Sequence, residues 1–186
     1  HDALPIYAHD SRLGGGAAGA GNVISGNAYG IQLANGAHDN QVQGNLIGLG
    51  SDGSTPLGNT GAGVTLNNGE ETNAVTGNLI GSDGDGLTDA DEANTISGNG
   101  VGVELRNPEV HDNTVAGNRI GTDITGMLAR GNTDAGILLS NGTHDNLIGG
   151  TIAAQRNLVS GNGNHGIAIL SGAADITIQG NYIGTD

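Results

Sequence analysis

The chain has 186 residues, with 37 Gly, three Tyr and no Cys, Trp or Phe. Without large rings or thiols, an aromatic-filled globule and a disulfide-stapled fold are both excluded. A formal net charge of −14 argues against nucleic-acid binding and membrane insertion, because it repels phosphates and anionic lipids, and it favours divalent cations as partners.

In chain order, His1-Asp2-Ala3-Leu4-Pro5-Ile6 comes first. It resembles the translation of a common sequencing-adapter oligonucleotide, so residues 1–8 are expected to be a non-native or disordered N-terminus. Repeat material begins at His9. From there the hexad Asn-x-[Val/Ile]-x-Gly-Asn recurs at 22–27, 40–45, 73–78, 94–99, 113–118 and 157–162, with a degenerate copy at 176–181. Regular recurrence of one short unit is the mark of a solenoid. The stretches 40–72 and 113–145 align without a gap. His9-Asp10 maps onto His144-Asp145 at an offset of 135, so a super-repeat of 67–68 residues fits, with Ser11, Asn78 and Asn146 equivalent.

Short β-branched or aliphatic runs are predicted as strands: Val23-Ile24, Ile31-Gln32-Leu33, Val64-Thr65-Leu66, Val103-Glu104-Leu105 and Ile167-Ala168-Ile169. Gly and Asn punctuate them, since both tolerate positive φ. No window carries helical periodicity. Strands this short do not form stable hairpins alone, but stacking coil on coil gives each a parallel neighbour on both sides. The commonest step between hexads is about 20 residues, which predicts one coil per step and seven or eight coils. At ~4.8 Å per coil the rod would be roughly 35–40 Å long. The 33-residue steps then read as a coil plus an excursion, near 49–57 and 122–130. In each hexad the central aliphatic faces the core, Gly-Asn turns the corner, and Asn amides stack as hydrogen-bonded ladders.

The pattern Asn-x-[Val/Ile]-x-Gly-Asn-x-Ile-Gly-Thr-Asp, followed by Gly-[Ile/Val]-x-[Leu/Ile], resembles the right-handed parallel β-helix repeats of bacterial secreted and surface proteins. The resemblance covers residues 9–186 and implies a single all-β, right-handed parallel β-helix with a pectate-lyase-like fold. It implies a secreted or cell-surface setting. The expected parent is longer, with the chain cut at both ends and free to associate end to end through open strand edges. A left-handed β-helix would need strict hexapeptide periodicity, which the variable steps do not show.

One segment breaks the repeat with chemistry of its own. Residues 81–92 read Gly-Ser-Asp-Gly-Asp-Gly-Leu-Thr-Asp-Ala-Asp-Glu. They resemble the calcium loops of thrombospondin type 3 repeats, where Asp83, Asp85, Gly86, Asp89 and Glu92 fill positions 3, 5, 6, 9 and 12. Gly81 stands where the first acidic ligand is usual, and Asp91 is the nearest substitute. The expected metal ligands are Asp83, Asp85, Asp89, Asp91 and Glu92, with Ca²⁺ pinning an insertion at 82–92 to the scaffold. The neutral alternative is a solvated acidic loop.

His-Asp-Asn recurs at 38–40, 111–113 and 144–146, and His-Asp at 9–10. The row offers transition-metal or acid–base chemistry, but recurrence at one repeat position favours a turn, with His111 and His144 stacked on neighbouring coils. Polygalacturonase-like enzymes of this fold pair several acidic motifs with Gly-His-Gly and Arg-x-Lys. Only partial echoes exist, at Asn132-Thr133-Asp134 and Asn164-His165-Gly166, and a chain without Lys has no Arg-x-Lys. No catalytic residue or organic cofactor is assigned. The expected function is structural or adhesive, facing an extracellular polysaccharide or cell-surface ligand. The alternative is a fragment of a carbohydrate-active enzyme.

Overall fold

The computed structural model describes the backbone of Pro5 and Ile6 and residues 9–69 and 73–184. Residues 1–4, 7 and 8 of the expected non-native terminus lie outside the described residues, as do Thr185 and Asp186. Pro5–Ile6 pairs in parallel with Gln32 and Leu33.

The chain winds as a parallel β-helix with three six-stranded sheets, every pairing within them parallel. The first sheet stacks Arg12–Gly14, Gln41–Gln43, Leu79–Gly81, Thr114–Ala116, Leu147–Gly149 and Thr177–Gln179. The second stacks Val23–Ile24, Leu46–Ile47, Thr95–Ile96, Arg119–Ile120, Leu158–Val159 and Tyr182–Ile183. The third stacks Pro5–Ile6, Ile31–Leu33, Ala62–Asn67, Val101–Arg106, Ala135–Ser140 and His165–Ile169. All five strand segments read from the sequence lie in these sheets.

Strand register sorts the aliphatics into rows. Val42, Ile80 and Val115 stack behind the first sheet, and Ile47, Ile96 and Ile120 behind the second. Leu33, Leu66, Leu105 and Leu139 stack behind the third. Each of these side chains is fully buried, and together they form one narrow core. Rows of one residue type let β-branched and aliphatic chains pack against copies of themselves, which is why the core needs no aromatics.

Three Asn ladders run along the corners. Asn40, Asn78, Asn113 and Asn146 form the first, each Nδ2 reaching the next Oδ1 at 2.9–3.2 Å. Asn22, Asn45, Asn94, Asn118, Asn157 and Asn181 form the second, at 2.9–3.1 Å. Asn27, Asn59, Asn99, Asn132 and Asn162 form the third, at 2.8–3.2 Å. Ser11 continues the first ladder through its backbone N–H on Asn40, as its equivalence to Asn78 and Asn146 implied.

The ladders correct the coil count. First-sheet strands start at residues 12, 41, 79, 114, 147 and 177, so a coil takes 29–38 residues and the described residues form six strand layers. The expected 20-residue step walks between different corners. Hexads 40–45 and 113–118 span the first sheet, whereas 22–27, 94–99 and 157–162 span the second. The 33-residue step from Asn113 to Asn146 is therefore one whole coil. Six layers at ~4.8 Å give a rod of roughly 24–29 Å, shorter than expected.

The super-repeat is two coils, and its layers alternate. Odd layers make an excursion between the first and second sheets, at 15–21, 82–93 and 150–156. Even layers turn that corner through a single Gly, Gly44 or Gly117, and instead make a hairpin between the second and third sheets. These hairpins are the expected excursions at 49–57 and 122–130, closed by antiparallel bridges Leu49–Pro56 and Thr122–Ala129. They dock on each other: Ile124 N–H donates to Gly53 O at 2.9 Å, and Arg130 Nε donates to Ser54 O at 2.6 Å.

Candidate metal centre

The 82–93 excursion leaves the wall after Gly81, whose φ is +107° and where a Cβ would lie 1.8 Å from Ala116 O, so only glycine fits the turn. Ser82 is fully buried and donates its N–H to Ala116 O at 2.9 Å. Two Asx turns follow. Asp83 Oδ1 accepts from Asp85 N at 3.0 Å, and Asp85 Oδ1 accepts from Leu87 N at 2.7 Å. Thr88, at φ +60°, then opens the one-turn helix Asp89–Glu92. This helix returns the chain to the wall, where Glu92 O accepts from Gly44 N at 2.8 Å.

The fold-back brings Asp83, Asp89 and Glu92 together, with one carboxylate oxygen of each within 4.8 Å of the others. Three oxygens around one Ca²⁺, each about 2.4 Å from it, lie no more than about 4.8 Å apart. The group therefore has a spacing that suits one hard cation. Ser82 Oγ donates to Asp89 at 3.1 Å, and Asp83 N–H donates to Glu92 Oε2 at 3.2 Å, which fixes two of the three carboxylates. Glu92 is 6% exposed. Burial, reinforced by the charges of Asp83 and Asp85, raises its carboxyl above the usual range against the hydrogen bonds from Asp83 and Ser82. An anion held at that disadvantage has reason to recruit a cation.

Of the five residues expected as ligands, Asp83, Asp89 and Glu92 meet. Asp85 is not in that group, and its carboxylate caps Leu87 N instead. Asp91 lies on the other side of the short helix. It lines an open groove of about 390 Å³ together with Gly15, Asn22, Leu46, Thr95, Ile124 and Arg119. Arg119, 28 positions away, shares that groove without any local motif to announce it, because only the stacking of coils brings the two together.

The His-Asp pairs form a row along one corner. His9 stacks on His38 with ring centroids 5.0 Å apart, and His111 stacks on His144 at 4.8 Å, as expected for that second pair. Each Nδ1 lies 2.8–3.0 Å from the carboxylate of the following Asp. Those Asp residues sit at φ +51° to +56°, together with Asp175, which follows Ala174 instead of His. The same turn without His points to a corner device. Of the residues in the polygalacturonase echo, Asn132 is a rung of the third ladder, and Asn164 Nδ2 donates to Asp134 Oδ1 at 2.8 Å.

Among the described residues no helix is long and apolar enough to cross a membrane. Comparison with protein-family models, curated proteins and solved structures gives no match to the chain.

Proposed function

We propose that this chain is a non-catalytic structural or adhesive segment of a large secreted or cell-surface protein: a stiff rod that displays loops in register and is braced by Ca²⁺ at the 82–93 excursion. The observation that carries this reading is the three Asn ladders, which occupy nearly every repeated polar residue with its own copy in the next layer. Side chains so used are not free for chemistry. The alternating excursions leave the rod along two edges, each at a two-coil interval, which suits a surface that meets an extended ligand such as an extracellular polysaccharide or a cell-surface glycan.

The carboxylate trio supports Ca²⁺ over Mg²⁺, because Mg²⁺ needs oxygens near 2.1 Å in strict octahedral order and keeps most of its water. Calcium titration by calorimetry tests this. One binding event in the wild type, lost in a Glu92→Gln variant, is expected; no heat in the wild type overturns it.

A second reading has one observation in its favour. Arg119 and Asp91 line one groove beside the carboxylate trio, and a cationic side chain near a bound metal is an arrangement suited to acid–base work on an acidic polysaccharide. Incubation with acidic polysaccharides in calcium separates the two readings. Release of unsaturated or reducing ends, abolished by Arg119→Ala, would replace the structural reading with the enzymatic one.

A further inference from the structure

Gln43 breaks a local rule. Val42 faces the core, so alternation along the strand turns Gln41 and Gln43 outward. Gln41 is half-buried and accepts two hydrogen bonds from Arg12 at 2.8 and 3.0 Å. Gln43 is fully buried, and neither its Nε2 nor its Oε1 has a partner among the described residues. An amide sealed away from water with both ends unpaired is costly, and natural folds keep few of them.

The corner beside Gln43 lies between two excursions, 15–21 from the layer before and the acidic 82–93 from the layer after. Gly14 lies beside Gln43 on one side, and the register of Val42 with Ile80 places Gly81 on the other, so no neighbouring side chain fills that space. Ser82 and Asp83 follow directly from Gly81. Glu92 returns onto Gly44, the residue after Gln43. A Cβ on Gly16 would lie 3.0 Å from Glu92 Cγ, so the Glu92 side chain packs against the 15–21 excursion at this corner. Gln43 thus stands, by strand register, beside both ends of the acidic excursion, the ends that bring the carboxylates together.

We propose that Gln43 Oε1 is a further ligand of the cation held by Asp83, Asp89 and Glu92, supplied by the neighbouring coil, so that the ion joins two layers of the rod. This deepens, and rests on, the reading of the carboxylate trio as a Ca²⁺ site. Ca²⁺ takes six to eight oxygens and accepts Gln carbonyls among them. A neutral oxygen adds a ligand without adding repulsion to three carboxylates. The matching even-layer residue is Ala116, covered in the same way by 150–156, whose Gln155 O accepts from Gly117 N at 3.0 Å. That excursion carries no carboxylate, and its wall residue carries no ligand atom. Gln179 repeats the residue type in the outermost described layer, where it pairs with Gly149 and is not fully buried. A covered Gln and a set of carboxylates coincide at one corner of the described solenoid.

The test compares wild type, Gln43→Leu, Gln43→Glu and Glu92→Gln by calcium calorimetry and by the calcium-induced rise in Tm. Circular dichroism checks that each variant keeps the fold. Gln43→Leu should weaken the calcium Kd about tenfold or more, and Gln43→Glu should tighten it and enlarge the rise in Tm. If Gln43→Leu binds like the wild type while Glu92→Gln does not bind, the Gln43 inference fails and the calcium site stands. If the wild type itself shows neither heat nor a rise in Tm, the calcium reading fails and the inference with it. Should Gln43→Leu not fold, Gln43→Glu decides: a rise in Tm no larger than that of the wild type overturns the proposal.

Discussion

The excursions at 82–93 and 150–156 leave the same corner of the rod, 68 residues apart, and return in the same way. Each lays a carbonyl on the single Gly of the layer beneath, Glu92 on Gly44 and Gln155 on Gly117. Each runs into a rung of the second ladder, Asn94 or Asn157. One folds through a turn of α-helix and carries five carboxylates; the other makes a 3₁₀ turn at Ala153–Gln155 and carries none. The corner therefore does not require acid to close. The carboxylates of 82–93 are an addition to a loop the scaffold already accepts, and their mutual repulsion calls for a compensating ion.

The largest effect should come from what the two excursions share. Asn118 lies in the layer between them. Its Oδ1 accepts from Asn94 N and Nδ2, and its Nδ2 donates to Asn157 Oδ1, Ile80 O and Ala116 O. Asn118→Ala strands the Asn94 backbone N–H and takes a donor from Asn157 Oδ1, Ile80 O and Ala116 O in a buried corner, which should cost about 3–5 kcal/mol in all. Urea unfolding should show this loss to the same extent with and without calcium. A loss confined to calcium-free buffer would mean that the ladder and the acidic excursion are not independent.

Calcium removal comes next, and it should touch only one excursion. At a calcium concentration 100 times Kd, the ion contributes about 2.7 kcal/mol that a chelator takes away. Combined Asp83→Asn, Asp89→Asn and Glu92→Gln should abolish the chelator effect on Tm. Gln155→Ala at the neutral excursion should leave it intact, although Gln155 Nε2 touches Asp83 O at 3.4 Å.

Without calcium the acidic excursion should also set a pH dependence. Burial raises the Glu92 carboxyl in the fold, so the folded chain holds that proton more tightly than the unfolded one. Stability should therefore fall as pH rises from about the ordinary 4.5 through the raised value, and Glu92→Gln should flatten that fall. The hairpin at 49–57 has the opposite sign. The Thr55 hydroxyl and the N–H groups of Thr55 and Ser54 donate to Asp52 and lower it from 3.8 to about 2. Its contribution is present above 3.8 and lost as pH falls through about 2, a loss that Asp52→Asn should remove. In its partner hairpin, burial of Asp123 is outweighed by hydrogen bonds from Thr125, Leu128 and Met127, which lower that carboxyl as well. Acid titration of the wild type and the two variants, followed by thermal melts, checks both signs.

These contrasts also mark how far the sequence could be read. Strand composition and the Asn-Gly corners carried the parallel β-helix, because stacking copies is the only way such short strands pair. The coil length did not follow from the hexad. Asn22 and Asn40 sit on different ladders, and one unit spelled at two corners looks like a 20-residue coil to anyone counting along the chain. The 67–68-residue super-repeat was the sounder guide, since it spans a pair of unlike layers. Asp83, Asp89 and Glu92 were legible as a local motif, whereas Asp85 was drawn into capping Leu87 and Asp91 was turned to the opposite side. Gln43 and Arg119 were not legible, because each enters its site from another layer and carries no local motif.

The smallest effect should come from the His row, which separates the two excursions in one more respect. His144 and Asp145 precede the layer of 150–156. In the layer of 82–93, Thr76 bridges His38 where a His would stand, and Gly77 takes the Asp position at φ +65°. A Cβ on Gly77 would lie 2.3 Å from Asp39 Oδ1, the free end of an exposed side chain, which would have to turn aside for an Asp to stand there. If the row is a turn device, the turn resides in the positive-φ Asp, and the imidazole adds only its stack on the next ring. His144→Ala should then change stability by no more than about 0.5 kcal/mol, as at an ordinary surface position. It should leave calcium binding untouched, and zinc calorimetry should give the same trace for wild type and variant. A zinc isotherm that vanishes with His144, or a loss of several kcal/mol, would move the row from scaffold to site. The stacked pair His111–His144 would then stand as a second centre beside the acidic excursion.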